Sequence, residues 1–104
     1  MPLTIDSSRS GDRAVIRLEG TIDASSAERV RQAVDAALAD HPAWLELDVE
    51  QVVFMSSAGL RVVIFAKQKE PDVKIAFRKP QPPILETLKK TGFFSAVYVI
   101  GDEE

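Results

Sequence analysis

A chain of 104 residues, 45% hydrophobic and 28% charged, has room for one core and ordinary globular usage, which excludes a disordered tail. Six prolines and five glycines scattered along it exclude a coiled coil, and no run approaches the roughly 18–20 apolar residues that cross a bilayer. The net charge of −3 argues against a dedicated nucleic-acid binder, and the lack of cysteine removes disulfides, thiol catalysis and thiolate metal sites together.

The start, Met1-Pro2-Leu3-Thr4-Ile5-Asp6, has neither the basic residues nor the apolar stretch of a signal peptide, so the expected setting is the cytoplasm, without direct membrane insertion. Leu3 and Ile5 alternate with Thr4 and Asp6, which predicts a short edge strand. Beyond the turn signal Ser8-Arg9-Ser10-Gly11-Asp12, Ala14, Ile16 and Leu18 alternate with Val15, Arg17 and Glu19, so the two runs predict a hairpin. Gly20-Thr21-Ile22-Asp23 leads into a helix. Its start carries Ser25 and Glu28 at capping-box spacing, and Ala27, Val30, Val34, Ala37 and Leu38 form one apolar stripe. Arg31 and Asp35 stand at i,i+4 on the polar side, and Asp40-His41-Pro42 ends the helix.

Trp44 to Val49 reads as a third strand, followed by a separate short apolar run, Val52 to Met55. Ser56-Ser57-Ala58-Gly59 opens a second helix with Leu60, Val63 and Ile64 inward, ending before Pro71, and Ser57 is the expected N-cap. Val73, Ile75 and Phe77 mark a fourth strand. Pro82-Pro83 starts a last helix, with Ile84, Leu85 and Leu88 on one face and Gly92 as its left-handed stop. Val97 to Ile100 closes as a fifth strand. Trp44 and Phe93-Phe94 are expected in the core or at its edge. The order β-β-α-β-α-β-α-β requires crossovers, hence a small α/β domain with a largely parallel sheet, spanning 1–104 as one unit.

The familiar catalytic constellations are absent from the sequence. His41 is the only histidine and sits beside Pro42 in a turn, where a solvated loop residue is expected. No Gly-x-Ser-x-Gly elbow, no Gly-x-x-x-x-Gly-Lys cradle and no metal-ligand spacing appears, so neither an enzyme nor a bound metal or cofactor is expected. Asp23 and Asp48 stand near predicted strand ends, where they could approach. What remains is Phe54-Met55-Ser56-Ser57-Ala58-Gly59-Leu60, an apolar strand delivering two serines to a helix start. Ser57 there can simply cap the helix. It can also carry phosphate, which would add roughly −1.5 to −2 charges at the positive end of the helix dipole.

Gly20-Thr21-Ile22-Asp23, Leu45-Glu46-Leu47-Asp48 and Phe54 to Leu60, taken with the tail from Ile84 to Phe93, resemble STAS domains, specifically the stand-alone anti-sigma factor antagonists of bacteria. The resemblance runs from about residue 3 to about residue 100. It implies a mixed four-to-five-stranded sheet with helices on one face. It also implies that the serine two places before Gly59, Ser57, is phosphorylated by a partner that is both anti-sigma factor and serine kinase, of the histidine-kinase-like ATPase type. The unphosphorylated form would bind that kinase and free its sigma factor or other target, phosphorylation would end binding, and a metal-dependent serine phosphatase would reset the switch. Asp23 matches the family aspartate near the acceptor, and the binding surface implied is Thr21, Asp23, Ser56, Ser57, Ala58, Gly59 and Leu60. Many members carry aspartate where this chain has Ser56, which makes Ser56 a second candidate acceptor.

A permanent STAS subunit of a larger assembly, such as a lipid-transport ABC system or a stress-signalling complex, would use the same surface without phosphate turnover. A small-ligand or nucleotide sensor is weakly allowed by the apolar and basic stretch from Phe77 to Lys79. The charge is asymmetric, with five Lys/Arg against ten Asp/Glu in residues 1–52 and eight against six in 53–104; this can steer a partner, although solvated faces also produce it. The strand from Val97 to Ile100 can serve as a pairing edge or a covered one, so the oligomeric state stays open.

Overall fold

The alternations build a sheet with one apolar and one polar face, as the computed structural model, which describes residues 2–101, displays. Strands β1 (Thr4–Ser10) and β2 (Arg13–Ile22) form the hairpin. Helix α1 (Ala27–Leu38), strand β3 (Trp44–Met55), helix α2 (Ser57–Lys69), strand β4 (Lys74–Arg78), helix α3 (Pro82–Lys90), a 3-10 turn (Phe93–Ala96) and strand β5 (Tyr98–Ile100) follow. The sheet order is β1-β2-β3-β4-β5, antiparallel between β1 and β2 and parallel elsewhere. This is the mixed, mostly parallel α/β arrangement that the element order predicts.

Register decides what each face holds. Ile16 lies beside Leu47 and Leu47 beside Phe77, one buried row across three strands. Val30 and Val34 of α1, Leu60 and Val63 of α2, and Ile84 and Leu88 of α3 join that row in a single core, so the helices share one side of the sheet. The next row, one residue along, faces away. There Glu46 is buried between Arg13, at 2.9 Å, and Arg78, and each guanidinium offsets part of the cost of taking the carboxylate out of water. Trp44 lies on this same face, with Arg13 4.7 Å and Lys74 5.4 Å from its ring centre and Tyr98 at 5.0 Å. It is thus half-buried on the side away from the helices, not in the core. Phe93 does pack against the core, whereas Phe94 is exposed beneath Lys89.

Several local expectations shift. The hairpin turns at Gly11-Asp12, so β1 is longer than its apolar start suggests. The two apolar runs from Trp44 to Met55 are one twelve-residue strand, because β2 continues beside it to Ile22 through two register shifts, at Arg17/Glu19 and Gly20/Thr21. After the shifts Val52 and Met55 turn inward, leaving Val53 and Phe54 about half exposed. The capping box does not form. Ser26 occupies the N-cap position without a side-chain cap bond, Ser25 bonds Asp23, and Glu28 is held by Arg31. Among the described residues, no helix is long and apolar enough to cross a membrane.

Gly20 is required at the second shift. Its φ is +114°, and a Cβ there would lie 2.4 Å from the Pro2 carbonyl oxygen. Gly11, at φ +62°, faces open space. Gly20→Ala is therefore expected to destabilise the fold by about 2–3 kcal/mol, from strain plus displacement of the N-terminal segment, against about 1 kcal/mol for Gly11→Ala. Urea denaturation of the two variants measures the difference, and equal losses would remove the Pro2 contact from the explanation.

Candidate functional site

The parallel strands β2 and β3 finish level with each other, Thr21 beside Phe54 and Ile22 beside Met55. One more bond joins the exits: the Ser56 N–H donates to the Ile22 carbonyl at 2.8 Å. The segment Thr21-Ile22-Asp23 and the start of α2 are thereby held together at the carboxyl end of the sheet, the usual place for function in open α/β folds.

Asp23 organises the first half. Its Oδ1 accepts the Ser25 N–H at 3.0 Å, the Ser25 hydroxyl at 2.6 Å and the Ser26 N–H at 3.1 Å. The Ser26 hydroxyl, in a buried side chain, accepts the Asp23 N–H at 3.0 Å and reaches the Thr21 carbonyl at 3.2 Å. These donors, the Ser25 hydroxyl foremost, hold the Asp23 carboxyl below the ordinary aspartate value even though partial burial pushes the other way. The loop thus presents a fixed, ionised carboxylate.

The second half turns on two adjacent serines. Ser56, not Ser57, is the N-cap: with φ −78° and ψ 172° its backbone is extended, and its Oγ accepts the Gly59 N–H at 3.3 Å. Its carbonyl accepts the Leu60 N–H at 3.1 Å. Ser57 is then the first helical residue, exposed, with no hydrogen bond from its hydroxyl among the described residues. The Ser56 bond to Ile22 sets this one-residue shift, because it fixes where the strand stops. Gly59 is buried, and a Cβ there would meet the Ile22 Cγ2 at 2.5 Å and the Met55 Cγ at 3.1 Å, so glycine lets α2 start against the strand ends. Leu60 lies in the core.

Of the residues singled out in the sequence, Thr21, Asp23, Ser56, Ser57 and Ala58 therefore come together with accessible surface, while Gly59 and Leu60 set the helix from below. Asp48 does not join them. It pairs in register with Arg17 and Arg78, midway along the sheet and five residues short of the end of β2, on the face away from the helices. His41 is an exposed loop residue as expected, its Nδ1 3.3 Å from a Glu70 carboxylate oxygen.

The exposure of two aromatics near the site escapes the sequence reading. Phe54, 50% exposed, precedes the serines, and Phe65, 56% exposed, borders a slot between α1 and α2 with Ala27, Ala58, Arg61 and Val62. The available signal is spacing: Ser57, Arg61 and Phe65 recur every four residues, off the Leu60–Val63 stripe.

Residues 5–97 match the family described as Mlab, STAS domain. Among solved structures, an anti-sigma factor antagonist from Mycobacterium paratuberculosis is similar at 24% identity and TM-score 0.81, over 95% of this chain and 86% of that one. The anti-sigma factor antagonist SpoIIAA in its unphosphorylated form matches at 18% identity and TM-score 0.80, over 97% and 90% of the two chains. The Bacillus cell fate determinant SpoIIAA in its phosphorylated form matches at 18% and 0.74, over 97% and 93%. At these identities the structural likeness establishes the fold.

The close contact at Gly59 makes a testable pair. Gly59→Ala should cost about 1–3 kcal/mol by pushing α2 off Ile22, and in the Ile22→Ala background the same change should cost clearly less. A double-mutant cycle by urea denaturation checks this; strict additivity would mean the two residues do not press on each other. For Asp23, the lowered value means its contribution is complete above the unfolded-state value of about 3.9 and is lost as pH falls through the folded value. Asp23→Asn should accordingly flatten the acid limb of stability below about pH 4 and leave the limb near neutrality parallel to wild type.

Proposed function

The chain belongs to the STAS domain family, and we propose that it acts, as one domain over residues 1–104, as a phosphorylation-switched binding module of the anti-sigma factor antagonist kind. Such antagonists are regulatory binding proteins, and the chemistry of the switch belongs to their partners. The unphosphorylated protein binds an anti-sigma factor that is also a serine kinase of the histidine-kinase-like ATPase type, so that the bound sigma factor or other target is released. The kinase then modifies Ser57. The serine Oγ bonds to the γ-phosphorus of ATP as the bond to the bridging oxygen breaks; ADP departs, and the hydroxyl proton goes to a base on the kinase. A metal-dependent serine phosphatase removes the phosphate. On this reading the protein works in the cytoplasm, in the control of transcription.

One observation carries this reading: adjacent serines have divided the work. Ser56 spends its hydroxyl on the cap, so the fold depends on it, whereas Ser57 leaves its hydroxyl exposed on the first turn beside the Asp23 loop. Phosphate at Ser57 would meet the positive end of α2 without breaking a bond of the fold, while a partner on that surface would meet the new charge directly. The same argument favours Ser57 over Ser56 as acceptor. A permanent subunit is the second reading, and the half-exposed Phe54 and Phe65 favour it, because apolar side chains of that size suit a surface that stays covered.

Ser57→Ala is expected to remain folded, to bind the kinase at least as well as the unphosphorylated protein, and to resist release by ATP. Ser57→Asp, with one added charge against phosphate's −1.5 to −2, should weaken binding by about tenfold, near 1.4 kcal/mol. Isothermal titration against the co-purifying partner, with and without ATP, measures both. A stoichiometric complex that ATP leaves intact would favour the permanent subunit.

A further inference from the structure

Of the seven arginines, six hold a partner. Arg9 bonds Asp40, Arg13 and Arg78 bond Glu46, Arg17 bonds Glu19, Arg29 bonds the Leu3 carbonyl, and Arg31 bonds Glu28 and Asp35. Arg61 has no ion pair or hydrogen bond from its side chain among the described residues, and it is exposed. It stands four residues after Ser57 on α2, one turn along on the same helix face. The first turn of α2 also contains no acidic residue, although its last turn carries Lys67 and Lys69. The helix is complemented at its negative end and lacks an anion at its positive end.

From these observations we infer that Arg61 is the intramolecular partner of a phosphate on Ser57. Resting on the switch reading above, this inference adds how the switch acts. An anion followed by a cation at i,i+4 is the favourable order along a helix, and a guanidinium meets phosphate oxygens through a planar fork. In the unphosphorylated protein Arg61 borders the slot beside Ala58 and Phe65, available to a carboxylate on a docking partner. Phosphorylation then changes the docking surface twice: it adds negative charge at Ser57 and withdraws the cation one turn away. The charged groups facing this corner from the neighbouring elements are Asp23 in the loop before α1 and Glu28 and Arg31 on α1, and Arg31 is already engaged by Glu28 and Asp35.

The test uses full-length protein carrying genetically encoded phosphoserine at position 57, so it needs no kinase and does not depend on whether cells phosphorylate the residue. Phosphorus NMR follows the second ionisation of the phosphate across pH. With Arg61 paired, that ionisation should lie lower than in the Arg61→Gln protein by about 0.5 pH unit, a modest shift appropriate to an exposed pair, and Arg61→Lys should restore part of it. High salt should shrink the difference. Asp23 and Glu28 are present in every variant, so their repulsion cancels. Because Arg61 is exposed, the fold should survive, and circular dichroism verifies this. Superimposable titration curves for wild type and Arg61→Gln would overturn the pairing. That result would leave the Ser57 switch itself standing, since phosphosite mapping and partner release decide the latter independently.

Discussion

A single backbone hydrogen bond, from the Ser56 N–H to the Ile22 carbonyl, sets the geometry on which the candidate site depends. It ends β3 at Met55, starts α2 two residues later at Ser57 and holds the Asp23 loop against the new helix. Three other choices follow from it. Gly59 must have no side chain, because Ile22 already occupies that space. Ser56 must be the cap, because its backbone is the last extended one. Ser57 is then released from structural duty. Two identical side chains in succession receive opposite roles from the exit geometry of the strand.

Both sides of the site are tied to the fold. The Asp23 carboxylate is held by three donors from Ser25 and Ser26, and the α2 start is seated on the core through Leu60. A charge added at Ser57 would thus act on whatever docks there rather than by refolding the domain. The polar sheet face, with Glu46 between Arg13 and Arg78, is a separate piece of engineering on the side away from the helices and is remote from this corner in register. It secures three strands to one another where no helix covers them.

Most of the fold could be read from the sequence because period and burial agree there. Ala14, Ile16 and Leu18 alternate and are buried, and Val30, Val34 and Leu38 repeat at helical spacing and face the core. The failures occur where a tertiary partner competes with a local rule. Ser25 and Glu28 have capping-box spacing, but Asp23 takes the one and Arg31 the other. Asp48-Val49-Glu50-Gln51 interrupts the alternation of β3, and only its pairing with a shifted β2 makes it a single strand. Trp44 looks like a core residue until the register puts it beside Arg13 and Lys74. At the site, the residue types and their order were legible. The assignment of cap and exposed hydroxyl between Ser56 and Ser57 was not, because it is decided by a bond to Ile22, more than thirty residues earlier.

Ser57, as proposed, carries and loses phosphate. Intact-mass spectrometry with phosphosite mapping, on protein recovered from its native cells with and without stress, is the decisive experiment. The expected result is a species heavier by about 80 Da, its added mass on Ser57 and its abundance changing with conditions. A single unmodified mass under every condition, or phosphate on Ser56 alone, would contradict it.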